Sequence, residues 1–192
     1  MKSETELSQA PGDESTKIYI LKPDYRHEAF VPPEVPGITD LLNSFNGTPF
    51  GETWTPLKIE VDDDEDIHDL PLGDFTLLSS HIPVFSRKAA ACLEDVLIGN
   101  GEMLPVLSER GEYYAYNVTS IIDALNVSAS EIDYLSTGRL ANIRRYSLYL
   151  DKLKDAVIFK LPQVTWLDVF VTDRFVKRVE KCQLFGFDFK PV

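Results

Sequence analysis

The chain has 192 residues, of which 44% are hydrophobic and 11% aromatic, and a formal net charge of −12. That is enough apolar material for one domain with a real core, and no run of about 18 apolar residues exists to cross a membrane as a helix. The charge is uneven: residues 1–80 carry 17 acids against 5 Lys and Arg, whereas residues 81–192 carry 14 of each. An excess of this sign argues against a nucleic-acid backbone as ligand, which needs clustered Lys and Arg. It suits a basic partner met by electrostatic steering, with solubility alone as the alternative reading.

Met1 to Thr16 lacks the apolar stretch of a secretory signal and reads as a flexible polar tail on a cytoplasmic protein. Lys17 to Lys22 alternates polar and apolar residues as a first strand, ended by Pro23. Pro23, Pro32, Pro33 and Pro36 then forbid long regular structure. Thr39 and Asp40 cap a brief helix over residues 41–45, which stops at Asn46 and Gly47. Trp54 to Val61 reads as a second strand with Leu57, Ile59 and Val61 on one face. Asp62, Asp63, Asp64, Glu65 and Asp66 follow; five adjacent carboxylates repel one another and predict an exposed loop running on through His68 and Asp69.

The second half contains one pattern twice: apolar strand, capped turn with an arginine, amphipathic helix, glycine, strand. The first copy runs from Pro83 to Leu107, with Ser86 as cap and Ala89, Cys92, Leu93, Val96 and Leu97 on one helical face. The second runs from Val169 to Phe189, with Asp173 as cap. Between them, Met103–Leu107 and Tyr113–Asn117 predict a hairpin, and Val118–Leu125 one or two helical turns. Residues 143–150 and 156–161 predict a second hairpin, and residues 166–171 a further strand. The expected fold is α+β, a mostly antiparallel sheet with three or four helices packed on it. It forms a single compact domain, divided into the tail (1–16), an acidic N-terminal part (17–72) and a C-terminal module (73–192).

No catalytic constellation stands out. The histidines are His27, His68 and His81, and no elbow-type turn frames a serine beside any of them. Cys92 and Cys182 lack activating neighbours and are expected as two buried, reduced thiols. The acidic run fails as a calcium loop, because Ile67 and Gly73 stand where glycine and a bidentate Glu are needed. No cofactor or metal is expected, and phosphate-binding loops are absent. Arg87 and Arg174, each one residue past Ser86 or Asp173, are expected to form scaffold ion pairs. The rival reading is an enzyme or small-ligand site assembled from scattered residues around His81, Arg87 and Arg174.

Several pieces in order resemble the C-terminal module of the eleventh immunity family of bacterial polymorphic-toxin systems. They are Gly73 to Phe75, Pro83 to Arg87 with its helix, Gly101 to Pro105, Glu112 to Val118 with Ile122 to Leu125, Ile158 to Leu161, and Val169 to Phe189. The resemblance implies a protein that binds and neutralises a cognate toxin without catalysis. It transfers no binding residues, since the shared motifs read as scaffold. The partner-binding residues are therefore expected in the acidic part, at Glu60, Asp62, Asp63, Asp64, Glu65, Asp66 and Asp69. They would meet a toxin with a basic surface, with neither nucleic acid nor membrane as partner and homo-oligomerisation left open.

Overall fold

A computed structural model of the chain describes residues 16–62 and 70–192. The expected tail, but for Thr16, and Asp63, Asp64, Glu65, Asp66 and Asp69 of the acidic run lie outside the described residues. The elements in order are β1 (Ile18–Pro23), β2 (Phe30–Val31), α1 (Ile38–Asn43), β3 (Glu60–Val61), β4 (Phe75–Leu77), β5 (Pro83–Ser86), α2 (Arg87–Leu97) and β6 (Gly101–Val106). There follow β7 (Tyr113–Val118), β8 (Glu131–Tyr134), β9 (Leu140–Arg145), β10 (Ile158–Phe159), β11 (Phe170–Thr172), α3 (Asp173–Lys181) and β12 (Phe187–Pro191). The fold is α+β, and every pairing between named strands is antiparallel.

Two four-stranded sheets carry the architecture, in the orders β10-β11-β1-β12 and β4-β5-β7-β6. The repeated sequence pattern is a repeated topology. β5 and β6 flank β7, and β11 and β12 flank β1, so each helix links two parallel strands with one antiparallel strand held between them. The registers also agree. Tyr114 lies opposite both Phe85 and Pro105, and Tyr19 lies opposite both Val171 and Pro191. β1, drawn from the beginning of the chain, thus completes a sheet otherwise built from its last 35 residues.

The helix starts differ from one another. Ser86 caps α2 as expected, its Oγ accepting the Ala89 N–H at 3.1 Å and donating to Asp74 Oδ1 at 2.8 Å. At α3 the N-cap is Thr172 and not Asp173, and no side chain closes the turn. The Thr172 hydroxyl is buried and donates to the Ala156 carbonyl at 3.1 Å, which removes it from capping. Asp173 lies inside the first turn, where a carboxylate suits the helix dipole, and pairs with Lys177 at 2.7 Å.

Alternation along β1 decides the layers. Leu21 faces a core shared with Phe75, Phe85, Leu93, Tyr116, Phe175 and Val179, so both helices and both sheets meet in it. Ile18 and Ile20 face a second core closed by Ile143, Leu153, Phe159 and Phe170. The outer side of the β4-β5-β7-β6 sheet is covered by Phe30, Phe45, Leu57 and Ile59 of the acidic segment. Where the sheets approach, Phe75 and Phe187 stack at 4.5 Å. Gly186 permits this, since it has φ +90° and a Cβ there would lie 2.6 Å from the Phe75 carbonyl oxygen.

Four expectations are corrected. Val118–Leu125 is not helical; beyond β7 it is extended, with Ile122 N–H on the Lys160 carbonyl at 2.9 Å. The second hairpin is β8–β9, turning at Gly138 with φ +80°, while residues 150–153 form a 3₁₀ turn. The strand expected from Trp54 shrinks to Glu60–Val61 plus a bridge from Lys58 to Leu107, since Pro56 cannot donate to a ladder. Cys92 and Cys182 are not two thiols but a disulfide, because α2 and α3 pack side by side with these Cα atoms 6.4 Å apart.

The bridge closes a loop across 90 positions of sequence. In oxidised protein, Cys92→Ala is expected to lower unfolding stability by about 2–4 kcal/mol. Urea denaturation with and without reductant checks this: the wild type should fall to the variant's level on reduction, and the variant should not respond.

Candidate functional site

The acidic segment is fastened to the C-terminal strands, and the fastening determines where its charges stand. Phe45, Phe50 and Trp54 form a ring cluster with centroids 4.9–5.8 Å apart. The Trp54 indole donates to the Pro105 carbonyl at 2.9 Å, along the outer edge of β6. Glu102 of β6 accepts from the Phe50 and Gly51 N–H groups at 2.8 and 2.9 Å and from Asn117 Nδ2 at 3.0 Å. Burial would raise the Glu102 pKa, but these donors outweigh it and hold the carboxyl below its usual range.

Two buried bases complete the attachment. Lys160, at 0% exposure on the strand-like run after β10, donates from Nζ to the Phe45 carbonyl at 2.6 Å. His81, at 4% exposure, meets the Leu42 carbonyl through Nε2 at 3.1 Å. A carbonyl can only accept, so Nε2 carries the proton, and Nδ1 lies 3.4 Å from the Ser79 hydroxyl. Lys160 thus satisfies the Phe45 carbonyl just past α1, and His81 adds a second donor to the Leu42 carbonyl, which also accepts the Phe45 N–H at 3.2 Å. Burial pushes Lys160 down to about 7 and His81 down to about 4, with the Lys160 charge adding to the shift of His81.

Glu60 is exposed on β3 with its carboxylate 2.8 Å from Lys58 Nζ. Asp62 follows, its N–H on the Ala29 carbonyl at 2.9 Å, so the β2–β3 ribbon carries the chain to the start of the acidic run. Asp63, Asp64, Glu65, Asp66 and Asp69 lie outside the described residues. Elsewhere on the segment Glu34, Asp40 and Glu52 are exposed, while Lys22 is paired with Asp168 at 2.6 Å and Arg26 with Asp24 at 2.8 Å.

His81, Arg87 and Arg174 do not converge. His81 lies under α1 as a structural donor. Arg87 is exposed and forms the expected scaffold ion pair, to Glu112 at 2.6 Å, and the groove it borders includes neither of the other two. Arg174 reaches a carbonyl, that of Asp155 at 3.5 Å, and not a carboxylate. With Thr172 as the cap, Arg87 is the first residue of its helix and Arg174 the second, so the two are not equivalent. Sequence reasoning missed Lys160 and the Glu102–Asn117 pair. A lone lysine within the apolar run Ile158 to Leu161 was the available signal.

Residues 103–192 match the model of the immunity protein family Imm11. This is the family expected from the sequence, over a shorter stretch than residues 73–192. No curated protein matches the chain. The matched stretch holds β11, α3 and β12 but begins after β1, the strand that pairs with both, and after α2.

The neutral forms of His81 and Lys160 are favoured in the fold, so the unfolded chain binds more protons and stability rises with pH in each window. For His81 stability is lost as pH falls from 6.5 to about 4; for Lys160 it grows as pH rises from about 7 to 10.5. Urea denaturation across pH should show His81→Gln flattening the acid limb and Lys160→Met flattening the rise above pH 7, each by about 1–3 kcal/mol relative to wild type.

Proposed function

We propose that this chain, an Imm11-type immunity protein over residues 103–192, binds a cognate toxin of a polymorphic-toxin system and silences it by contact, without catalysis of its own. The family match is the observation that carries this reading. The proposed place of action is the cytoplasm of the producing cell. The partner is a protein with a basic surface, and neither nucleic acid nor membrane takes part.

The acidic segment is the proposed recognition element. It carries 12 acids against 4 Lys and Arg, most of the charge surplus of the chain; Lys22 and Arg26 are already held by Asp168 and Asp24, and Glu34, Asp40, Glu52 and Glu60 stand exposed. Charges so placed steer a basic partner and then form charge-assisted pairs with its Lys and Arg residues. Toxin choice is assigned to Glu60, Asp62, Asp63, Asp64, Glu65, Asp66 and Asp69, carried on the framework of the β-α-β units.

The test is co-expression and titration with the toxin domain encoded beside the gene. Wild type is expected to protect the cell and to bind with an affinity that falls steeply with salt. Replacing Asp62, Asp63, Asp64, Glu65 and Asp66 by their amides is expected to weaken binding about tenfold or more at ~50 mM salt and to flatten the salt dependence. Unchanged affinity and slope in that variant would remove the acidic interface, and absence of protection by wild type would remove the immunity role.

A further inference from the structure

The two β-α-β units can be compared residue by residue, because their shared registers fix the correspondence without fitting. Gly101 and Met103 of β6 stand where Phe187 and Phe189 stand in β12. Counted from the caps Ser86 and Thr172, Ala89 of α2 stands where Phe175 stands in α3. In the second unit these three phenylalanines fill the angle between helix and edge strand. Phe175 lies 6.2 Å from Phe187 and 6.3 Å from Phe189, and Tyr19 lies 6.3 Å from Phe189.

In the first unit the same angle is open. A groove of about 430 Å³ runs between α2 and β6, lined by Ala90, Ala91, Leu97, Ile98, Met103 and Tyr114. Ile98 is 74% exposed at its end. The fold keeps this groove from being filled out of β6. Tyr116, in the place of Leu21, donates its hydroxyl to the Leu97 carbonyl at 2.7 Å. Its ring lies 2.6 Å from where a Cβ on Gly101 would sit, and the Asn117 carbonyl is closer still, so no side chain fits at 101. At the mouth, Arg87 is already tied to Glu112, whereas exposed Glu94 has no ion pair among the described residues.

We infer that this groove receives an aromatic side chain of the partner toxin, flanked by a Lys or Arg that pairs with Glu94. The inference rests on the immunity reading and adds a second, apolar contact to it. The twin unit supplies the argument for the occupant, since phenyl rings fill the equivalent angle there. The charge of Glu94 matches the basic partner that the acidic segment requires. Aromatic anchors in desolvated pockets carry a large share of the energy of protein interfaces, and a groove of this volume lies within the range that holds such groups.

The lining is rich in methyl groups, which makes the site directly observable. N-acetyl-phenylalanine amide, titrated into the full chain and followed by methyl NMR, is expected to shift Ala90, Ala91, Leu97, Ile98 and Met103 saturably, while N-acetyl-glycine amide does not. Ala91→Trp, at an exposed helical position, should fill the groove and abolish these shifts; Ala91→Gln should retain them and serves as the folding control. Shifts that lie elsewhere, or that survive Ala91→Trp, overturn the assignment.

The same variants then meet the neighbouring toxin. Ala91→Trp is expected to bind it at least about tenfold more weakly than wild type and Ala91→Gln to bind normally, with Glu94→Lys weakened as well. If wild type binds and Ala91→Trp binds equally well, the groove inference fails while the immunity role stands; if wild type does not bind, the immunity role fails and the inference with it. A concentration-dependent mass in sedimentation that Ala91→Trp abolishes would make a second copy of the chain the occupant and overturn the toxin assignment.

Discussion

Strand β1 is hydrogen-bonded on both edges and buried on both faces. β11 and β12 run parallel, joined by α3, and stand two strand spacings apart, so neither can satisfy the inner edge of the other. A buried strand edge without partners is costly, and only an antiparallel strand from elsewhere in the chain can close the gap. β1 does so while sending Ile18 and Ile20 into one core and Leu21 into another. The beginning of the chain and its end therefore fold together, and β7 repeats the same solution between β5 and β6.

The acidic segment depends on this frame. It lies on the outer side of the second sheet through Phe30, Phe45, Leu57 and Ile59, and its polar backbone is met by groups from the strands beneath it: Glu102, Lys160 and His81. Two bases and one carboxylate satisfy main-chain atoms, and the exposed carboxylates at Glu34, Asp40, Glu52 and Glu60 are not spent on the attachment. Fastening thus leaves these exposed carboxylates free of main-chain duties. A buried amine without a carboxylate partner is an expensive fastener, which its lowered pKa reflects.

The twin units share topology, register and even the proline opposite tyrosine, yet they are packed to different ends. Phe175, Phe187 and Phe189 close the second, which also abuts β4 through the Phe75–Phe187 stack. Gly101 and Met103 leave the first open. A duplicated framework with one filled and one empty angle separates the part that holds the molecule together from the part that faces outward.

By itself the sequence determined the α+β class, the twin strand-helix-strand units, the Ser86 cap, the β6–β7 hairpin and the likeness of residues 103–192 to the Imm11 family, because each rests on local periodicity, turn chemistry or the order of short motifs. It placed the charge surplus on the first 80 residues by simple counting. What it could not reach was decided by partners distant along the chain. Thr172 has a capping hydroxyl, but the Ala156 carbonyl claims it. Cys92 and Cys182 look like isolated buried thiols until α2 and α3 lie together. Lys160 has no visible partner in its apolar run until Phe45, over a hundred residues earlier, comes to rest against it. Local rules write the elements; which polar groups are satisfied, and by what, is settled only when the elements pack.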